Sequence, residues 1–569
     1  MRSRPWFPTR HLREDAVAGV VLGVQSVPDG LATGLLAGVN PVAGLYAYMV
    51  GTFTGALVTS SSFMAVQGTG AMAMIVADVP AVHQAADPAR ALFTLSMVTG
   101  AIMIAAGLLR LGSMLRFVSN AVMVGFINAV GVNIVLGQLS NLTGYAAQGP
   151  NRVVRALQTV IHPDRIDLRT LTVGLVTIAL ILVLERTRVG SLGLVVAVVV
   201  TSGATVLLGW GDVAVLDDLS SVSRALPSLV LPQFGLIPAL LVPAASLAFV
   251  GLVQGAGVAA AFPDGHGRSA DVSRDFVGQG AANVASGLLQ GMPVGGSMSA
   301  TSLNVSAGAR SRRSLLVASV VMAATVLLLG PAVGAVAMPA LAGLLMLIGF
   351  RTIRPADLAS VWRTGPVQKA VVIVTFLLTM VVPLQYAVLA GVGLSVILHI
   401  VRQSNQVTIR QRVSGPGGHT IEVDPPAELP ADAVLMLQPY GSLFFAAAPV
   451  FEGLLPRVTS EGARSVVIVR LRGRTDLGTT FIDVLRRYAT SLTEAGSKLV
   501  LVSTTERIDD QLEATGLTPV IGRENIYTGD ERVGSATQRA QADALAWVLA
   551  QGAPGSAPGS ASGPGSASS

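Results

Sequence analysis

From residue 15 to residue 401 the chain is a succession of apolar stretches of about 20 residues, separated by short loops that hold most of the charge. A helix of that length crosses a hydrocarbon core of roughly 30 Å. Inside lipid every backbone polar group has to be satisfied within the protein, so repeated runs of this kind fold as packed transmembrane helices. The hydropathy predicts spans at 15–36, 42–60, 64–78, 91–109, 117–137, 170–184, 189–209, 236–261, 276–291, 297–309, 314–330, 333–350, 368–384 and 386–401. That is about fourteen segments, and two of them, 64–78 and 297–309, are short. Composition agrees: 51% of the 569 residues are hydrophobic and only 12% charged, with a mean hydropathy of +0.64, which excludes a purely soluble enzyme.

The net charge of +6 resides in loops between apolar runs, a matter of topology, and no nucleic-acid partner is expected. There is no cysteine, so disulfides, thiolate chemistry and thiolate-held metals are excluded. Six scattered His offer no metal-ligand spacing, and no cofactor is expected. A phosphate loop of the GxxxxGK[ST] kind is missing too, which argues against an ATP-driven pump, and the chain is not read as an enzyme.

Arg2, Arg4, Arg10 and Arg13 precede the first apolar run without a small-residue cleavage site, which predicts a cytoplasmic N-terminal arm over 1–14. With an even number of spans both termini lie inside, at the cell membrane. The expected inner loops then carry Arg110 and Arg116, Glu185 to Arg188, Arg268 and Arg274, Arg310, Arg312 and Arg313, and Arg351, Arg354, Arg363 and Lys369, while the outer loop near 210–228 is acidic. One loop objects: 138–169 belongs outside yet contains Arg152, Arg155, Arg165 and Arg169.

Residues 15–209 and 236–401 hold seven segments each, and an odd number turns the second half upside down relative to the first. Inverted repeats are a transporter architecture. The third segment of each half is short and punctuated by small residues: Phe63-Met64-Ala65-Val66-Gln67-Gly68-Thr69-Gly70 and Gly295-Gly296-Ser297-Met298-Ser299-Ala300-Thr301-Ser302. A helix that starts partway through the bilayer leaves its first N–H groups without partners, and a bound anion satisfies them. Two such N-termini, each about +0.5 charge, offset roughly one negative charge without Lys or Arg. Small residues also permit close helix packing, which is the ordinary reading of one such segment alone.

These residues resemble the sulfate permease (SulP) family of anion transporters. Ala18-Gly19, Val27-Pro28-Asp29-Gly30-Leu31-Ala32 and Leu36 through Tyr46 are similar to its first-helix signature, a Pro-interrupted helix with a following loop. Ala65-Val66-Gln67-Gly68 is similar to the start of its third helix. Asn283 to Gly287, Gly291 to Ser299, Asn304 and Ala307 to Arg312 follow its tenth-helix pattern. The resemblance implies an α-helical polytopic membrane protein of about fourteen segments in two intertwined seven-helix repeats, divided into a mobile core and a gate. It also implies an elevator-like movement, a homodimer, and a C-terminal STAS domain. Substrate would lie between helices three and ten, completed by helices one and eight. The candidate substrate residues are therefore Gln25, Asp29, Gln67, Gly68, Thr69, Gln254, Ser297, Met298, Ser299, Ala300 and Thr301.

Two departures bear on chemistry. The family's eighth helix usually carries an acidic residue where this chain has Gln254, and its tenth often has Arg where this chain has Ala300. Conversely Asp29 stands where the first helix usually has Gln. A carboxylate inside a membrane segment costs roughly 2.5–3.5 kcal/mol on insertion scales and is functional by default. Either it couples transport to H⁺ or Na⁺, or it caps a helix restarted after Pro28, or it is solvated. Without Arg at 300, a monovalent anion (bicarbonate, chloride or nitrate) is easier cargo than sulfate. The rival readings are a nucleobase permease of the same architecture and a membrane sensor or scaffold that does not transport.

Beyond residue 401 the character changes. Residues 402–430, with Arg402, Arg410, Arg412 and several Pro and Gly, read as a linker, and 431–550 as a small cytoplasmic α/β domain. Its expected strands are 433–438, 443–446, 465–471 and 498–503, with helices near 448–460, 478–495, 508–516 and 537–550. Ser442-Leu443-Phe444-Phe445-Ala446 and Thr475-Asp476-Leu477-Gly478-Thr479-Thr480 resemble a STAS domain, a site for a cytoplasmic protein partner. Leu477 stands where phosphorylated relatives have Ser, and Thr479 and Thr480 read first as helix caps. The Gly, Ser, Ala and Pro tail over 551–569 is too poor in apolar side chains to fold and is expected to be disordered.

Overall fold

The computed structural model describes residues 11–112, 120–219, 225–263, 271–384, parts of 386–401, 407–414, 419–441, 443, 447–459, 463–529, 532 and 534–552. The expected strand at 444–446, the tail beyond 552, Arg116, Arg268 and Arg402 lie outside the described residues. The chain divides into two compact units, 1–395 and 396–569.

The first unit runs α1 (Leu12–Leu36), α2 (Pro41–Val58), β1 (Val66–Gln67), α3 (Gly70–Ala77), α4 (Pro80–His83), α5 (Pro88–Leu108), α6 (Asn120–Gly137), α7 (Leu139–Thr143), α8 (Arg152–Ile161), α9 (Leu168–Leu184) and α10 (Gly193–Leu207). It continues with α11 (Leu216–Leu219), α12 (Ile237–Ala261), α13 (Val272–Leu288), β2 (Gly295–Gly296), α14 (Met298–Ser306), α15 (Arg313–Gly334), α16 (Met338–Thr352), α17 (Pro355–Trp362) and α18 (Pro366–Val381). Each apolar stretch up to residue 381 is a helix close to its expected bounds, and the two short ones are a two-residue strand followed by a half-length helix. The architecture is that of two inverted repeats: α1, α2, β1–α3, α5, α6, α9 and α10 correspond in order to α12, α13, β2–α14, α15, α16, α18 and the partly described 386–401.

The helices pack in two groups. α13 lies along α5 and α2, α1 along α15 and α2, and α12 along α5, whereas α6 packs on α16 and α18, and α9 on α10 and α16. Between the groups α1 touches α16 and α10, and α3 touches α6. We refer to the first group as the core and the second as the gate, the two parts that the resemblance leads one to expect. Helices in lipid associate by close contact rather than by excluding water, and two of the tight crossings within the core are glycine pairs. A Cβ on Gly44 of α2 would stand 2.1 Å from the Gly30 carbonyl oxygen of α1, and one on Gly100 of α5 would stand 2.5 Å from that of Gly280 in α13.

Alternation of the helices puts the starts of α1, α13 and α15 and the end of α2 on one face, where buried charge ties the core together. Asp15 accepts from the backbone N–H groups of Arg310 and Ser311 at 2.7 and 2.9 Å and from the Ser311 hydroxyl at 2.5 Å. Asp275 accepts from the N–H and hydroxyl groups of both Ser60 and Ser61 at 2.6–3.0 Å. Between them the Arg312 guanidinium donates to the carbonyls of Ala56, Thr59 and Ser60 at 3.1–3.2 Å, at the negative end of the α2 dipole.

The loop that breaks the charge rule has a structural account. Arg152 pairs with Asp78 and Arg169 with Asp212, and Arg165 lies 5.7 Å from the Tyr145 ring centroid, so these cations have local partners. Moreover, 152–161 forms the amphipathic helix α8, whose Val153, Leu157, Val160 and Ile161 are exposed as on a helix lying in a lipid interface.

The second unit comprises β3 (Thr408–Ser414), β4 (Thr420–Val423), β5 (Val434–Tyr440), α19 (Ala448–Leu454), β6 (Val466–Arg470), α20 (Thr479–Glu494), β7 (Lys498–Thr504), α21 (Glu506–Ala514), α22 (Thr518–Ile521), β8 (Ile526–Thr528) and α23 (Ser535–Gly552). The sheet order is β4-β3-β5-β6-β7-β8, antiparallel up to β5 and parallel beyond it. Phe451, Phe481 and Leu485 fill one side, and Ala536, Ala540, Ala544 and Val548 of α23 cover the other. The reading of 402–430 as a linker is corrected: β3 and β4 lie within it, and Val407, Ile409 and Leu429 are buried in the domain core. In β3 most residues are polar and β4 is exposed throughout, so neither carries the apolar alternation that announces a strand. Thr479 and Thr480 open α20 without a side-chain cap bond, which corrects their reading as caps. Leu477 is buried and its N–H donates to Gln511 Oε1 at 2.9 Å, so a core contact occupies the position expected of a phosphorylated serine.

Candidate functional site

The two short segments meet. β1 and β2 pair antiparallel, Val66 opposite Gly296 and Gln67 opposite Gly295, and each strand leads into a half-helix. The N-termini of α3 and α14 therefore start side by side and run toward opposite faces. Thr69 caps α3 by accepting from the Met72 N–H at 3.3 Å, and Ser297 caps α14 by accepting from the Ala300 N–H at 3.3 Å. One amide is thus satisfied in each helix. The first two amides of each, those of Gly70 and Ala71 and of Met298 and Ser299, have no acceptor within their own helix. No Lys or Arg occurs in 65–72 or 294–301, so the positive potential is that of aligned backbone dipoles.

Buried amides fix this junction. Gln279 Oε1 accepts from the Gly296 N–H at 2.9 Å, and the Asn283 side chain bonds both the N–H and the carbonyl of Val294, at 2.9 and 2.6 Å. Gln67 donates to the hydroxyls of Ser26 and Thr52 at 3.0 and 3.1 Å, joining β1 to α1 and α2. Thr301 is fully buried, accepting from the Ala65 N–H at 3.0 Å and donating to the Ser297 carbonyl at 2.6 Å. Thr69 donates to Gln254 Oε1 at 2.9 Å, so the residue in place of the family's carboxylate holds the α3 cap.

On α1, Gln25 and Asp29 lie one turn apart, and Gln25 Oε1 and Asp29 Oδ1 are buried without a hydrogen-bond partner. From the Asp29 carbonyl a chain of bonds leads to the half-helix: Thr33 donates to it at 2.7 Å, the Thr33 and Tyr48 hydroxyls are 2.9 Å apart, and Tyr48 donates to the Gly68 carbonyl at 2.9 Å. α1 is continuous from Leu12 to Leu36 with Pro28 inside it, and an unpartnered carboxylate oxygen is not a cap. The Pro-interrupted helix and the capping role of Asp29 are both corrected.

The structure thus gathers Gln67, Gly68, Thr69, Gln254, Ser297 and Ser299 about the junction, with Ser299 3.2 Å from the Ser297 hydroxyl. Ala300 is buried in an apolar cluster with Leu22, Ala56, Ala65, Leu315 and Ala318, so a longer residue there would displace core packing. Gln67 and Thr301 use the groups described here as internal ties. Sequence reasoning missed Ser26, Thr33, Tyr48 and Gln279; Gln279 with Asn283, two amides four residues apart in a membrane helix, was a readable signal.

The pair is symmetric in connectivity but not in exposure. Residues 71–76 of α3 are all buried, at 7% exposure or less, whereas α14 leaves Met298, Ser299 and Ser302 exposed. The junction is sealed along the half-helix that runs away from the N-terminal face and open along the one that runs toward it.

Residues 12–375 match the model of the sulfate permease family, and residues 427–532 match the STAS domain. Among curated relatives, a probable sulfate transporter of Mycobacterium tuberculosis is 25% identical over 92% of this chain and 94% of its own length. The bicarbonate transporter BicA of Picosynechococcus is 27% identical over 70% of this chain and 71% of its own. Among solved structures, the murine Solute Carrier 26 family member A9 anion transporter in the inward-facing state aligns with a TM-score of 0.83 at 19% identity, over 94% of this chain and 92% of that one. The transmembrane domain of BicA aligns with a TM-score of 0.57 at 25% identity, over 68% of this chain and 99% of that one.

Proposed function

Because the chain belongs to the sulfate permease family of membrane anion transporters, we propose that it carries a small monovalent inorganic anion, bound at the facing N-termini of α3 and α14 and coupled to H⁺ or Na⁺ through Asp29. The juxtaposition of those two N-termini by the β1–β2 pair carries the reading. Two half-helix ends offset about one negative charge, and Ala300 adds no cation for a second. The relatives' names point to sulfate and to bicarbonate; the charge balance favours bicarbonate, chloride or nitrate.

Coupling rests on the unpaired acceptors of Gln25 and Asp29. An anion satisfies donors, and these two oxygens require a donor or a cation: a proton on Asp29, or Na⁺, which takes oxygen ligands. Either would cancel the carboxylate charge that otherwise repels the anion. Transport proceeds by movement of the core helices against the gate, with the open α14 side and both termini facing the cytoplasm across the cell membrane. The separate packing of the two helix groups and the one-sided exposure of α14 support this reading.

The test is uptake of radiolabelled bicarbonate, chloride, nitrate and sulfate into proteoliposomes under imposed proton and sodium gradients. Flux of a monovalent anion that Ser299→Trp blocks is the expected result; Ser299 is exposed and accommodates the bulk, whereas a Cβ at Gly68 already meets Tyr48 at 2.9 Å. No flux of any anion would favour the sensor reading, and sulfate as the sole cargo would refute the charge argument.

A further inference from the structure

Asp78 caps the C-terminal end of α3, the end pointing away from the N-terminal face. A carboxylate there opposes the helix dipole, so an Asp at this position calls for a compensating partner. Arg152 supplies it: its two terminal nitrogens donate to Asp78 Oδ1 and Oδ2 at 2.6 and 3.2 Å, in the two-pronged geometry that favours Arg. The side chains are only 12% and 16% exposed, and the Leu384 N–H completes the carboxylate at 3.1 Å. The partners come from opposite sides of the core–gate seam. α3 is core, whereas α8, which holds Arg152, packs on α6, α7 and α18, and Leu384 follows α18, all of them gate. At the other end of α3, about two turns from this pair, the seam is also tight, for a Cβ on Gly70 would stand 2.8 Å from Ile134 Cδ1 of α6.

We infer that Asp78 and Arg152 form a latch that closes the far side of the transport path, holding the core against the gate only while the site opens toward the N-terminal face. The inference deepens the proposed movement of core against gate. If the core travels, this ion pair has to part, because its two halves ride on different bodies. It also gives Arg152 a function in a loop where the charge rule disfavours it. Asp78 and Arg152 are positioning residues and lie apart from the anion's donors.

The chain has no cysteine, so single introduced cysteines report accessibility without background. Ile134→Cys reports the far side of the seam and Ser302→Cys the open side of α14, each read by the rate of reaction with a membrane-impermeant maleimide. Arg152→Gln and Asp78→Asn should raise Ile134→Cys labelling from the far side at least threefold and lower Ser302→Cys labelling. The paired exchange Asp78→Arg with Arg152→Asp should bring both rates back toward wild type. In flux assays the half-saturation concentration for anion on the far side should fall and that on the other side should rise, since apparent affinity scales with the competent fraction. A merely structural role would not move the two sides in opposite directions. Wild-type labelling at both reporters in folded Arg152→Gln and Asp78→Asn proteins overturns the latch. Should those variants not fold, Arg152→Met, which keeps the apolar stem and removes the charge, takes their place, and wild-type rates in it count equally against the latch. Labelling needs no flux, so a change in accessibility without transport would sustain the latch while refuting the transport reading.

Discussion

Gly296→Ala tests how the half-helix junction is held. A Cβ on Gly296 would stand 2.6 Å from the Gly255 Cα of α12, and this neighbour is backbone, so no rotamer change relieves it. Restoring ordinary contact at 3.4 Å moves α12 away from β2 by about 0.8 Å. Gln254 is the preceding residue, and its 2.9 Å bond from Thr69 would stretch to about 3.7 Å, beyond hydrogen-bond reach. Overpacking of this kind costs about 1–3 kcal/mol of stability. The lost bond adds about 1 kcal/mol and frees the residue that caps α3. Expressed as anion affinity, that last term is about a fivefold rise in half-saturation concentration. The assay is concentration-dependent uptake in proteoliposomes, paired with thermal unfolding followed by size-exclusion chromatography in detergent. Gly257→Ala, on the same helix with open space around its Cβ, is the control and should behave as wild type. An unchanged half-saturation and melting temperature in Gly296→Ala, or equal damage from Gly257→Ala, would refute the argument.

Other expectations follow from the same geometry. Asp29→Asn should retain anion flux but lose its dependence on the proton or sodium gradient; an undiminished gradient dependence would remove Asp29 from coupling. Asp275→Ala strands the hydroxyls and amides of Ser60 and Ser61 and should destabilise the protein by about 3 kcal/mol or more, read as a fall in melting temperature. In the second unit, Phe481→Ala removes a fully buried ring whose centroid lies 4.6 Å from that of Phe451, and a loss of about 3–5 kcal/mol is expected in denaturant unfolding of the full chain monitored on that domain.

The spans were legible because lipid imposes one rule on every segment: a run of apolar side chains long enough to cross must be a helix. The half-helices were legible through their shortness and their small residues at equal places in the two halves, a pattern that packing alone would not repeat. What holds them was harder to read. Gln67, Gln279 and Asn283 are ordinary amides until their partners, far away in the chain, are known. The continuity of α1 through Pro28 was misjudged because proline weakens only one turn when neighbouring helices support the rest. Strands β3 and β4 escaped notice because a polar, largely exposed edge leaves no apolar periodicity. Arg152 looked like a breach of a topological rule until Asp78, 74 residues away, was found beside it.

The two-residue ribbon between β1 and β2 also sets an order of events during synthesis. Val66 has no partner until Gly296 has left the ribosome, by which time more than half of the polypeptide has been made. Throughout that interval the tip of α3 sits in the nascent bundle with its amides unanswered. Either water or the insertion machinery must attend to it, since neither half of the chain builds this site without the other.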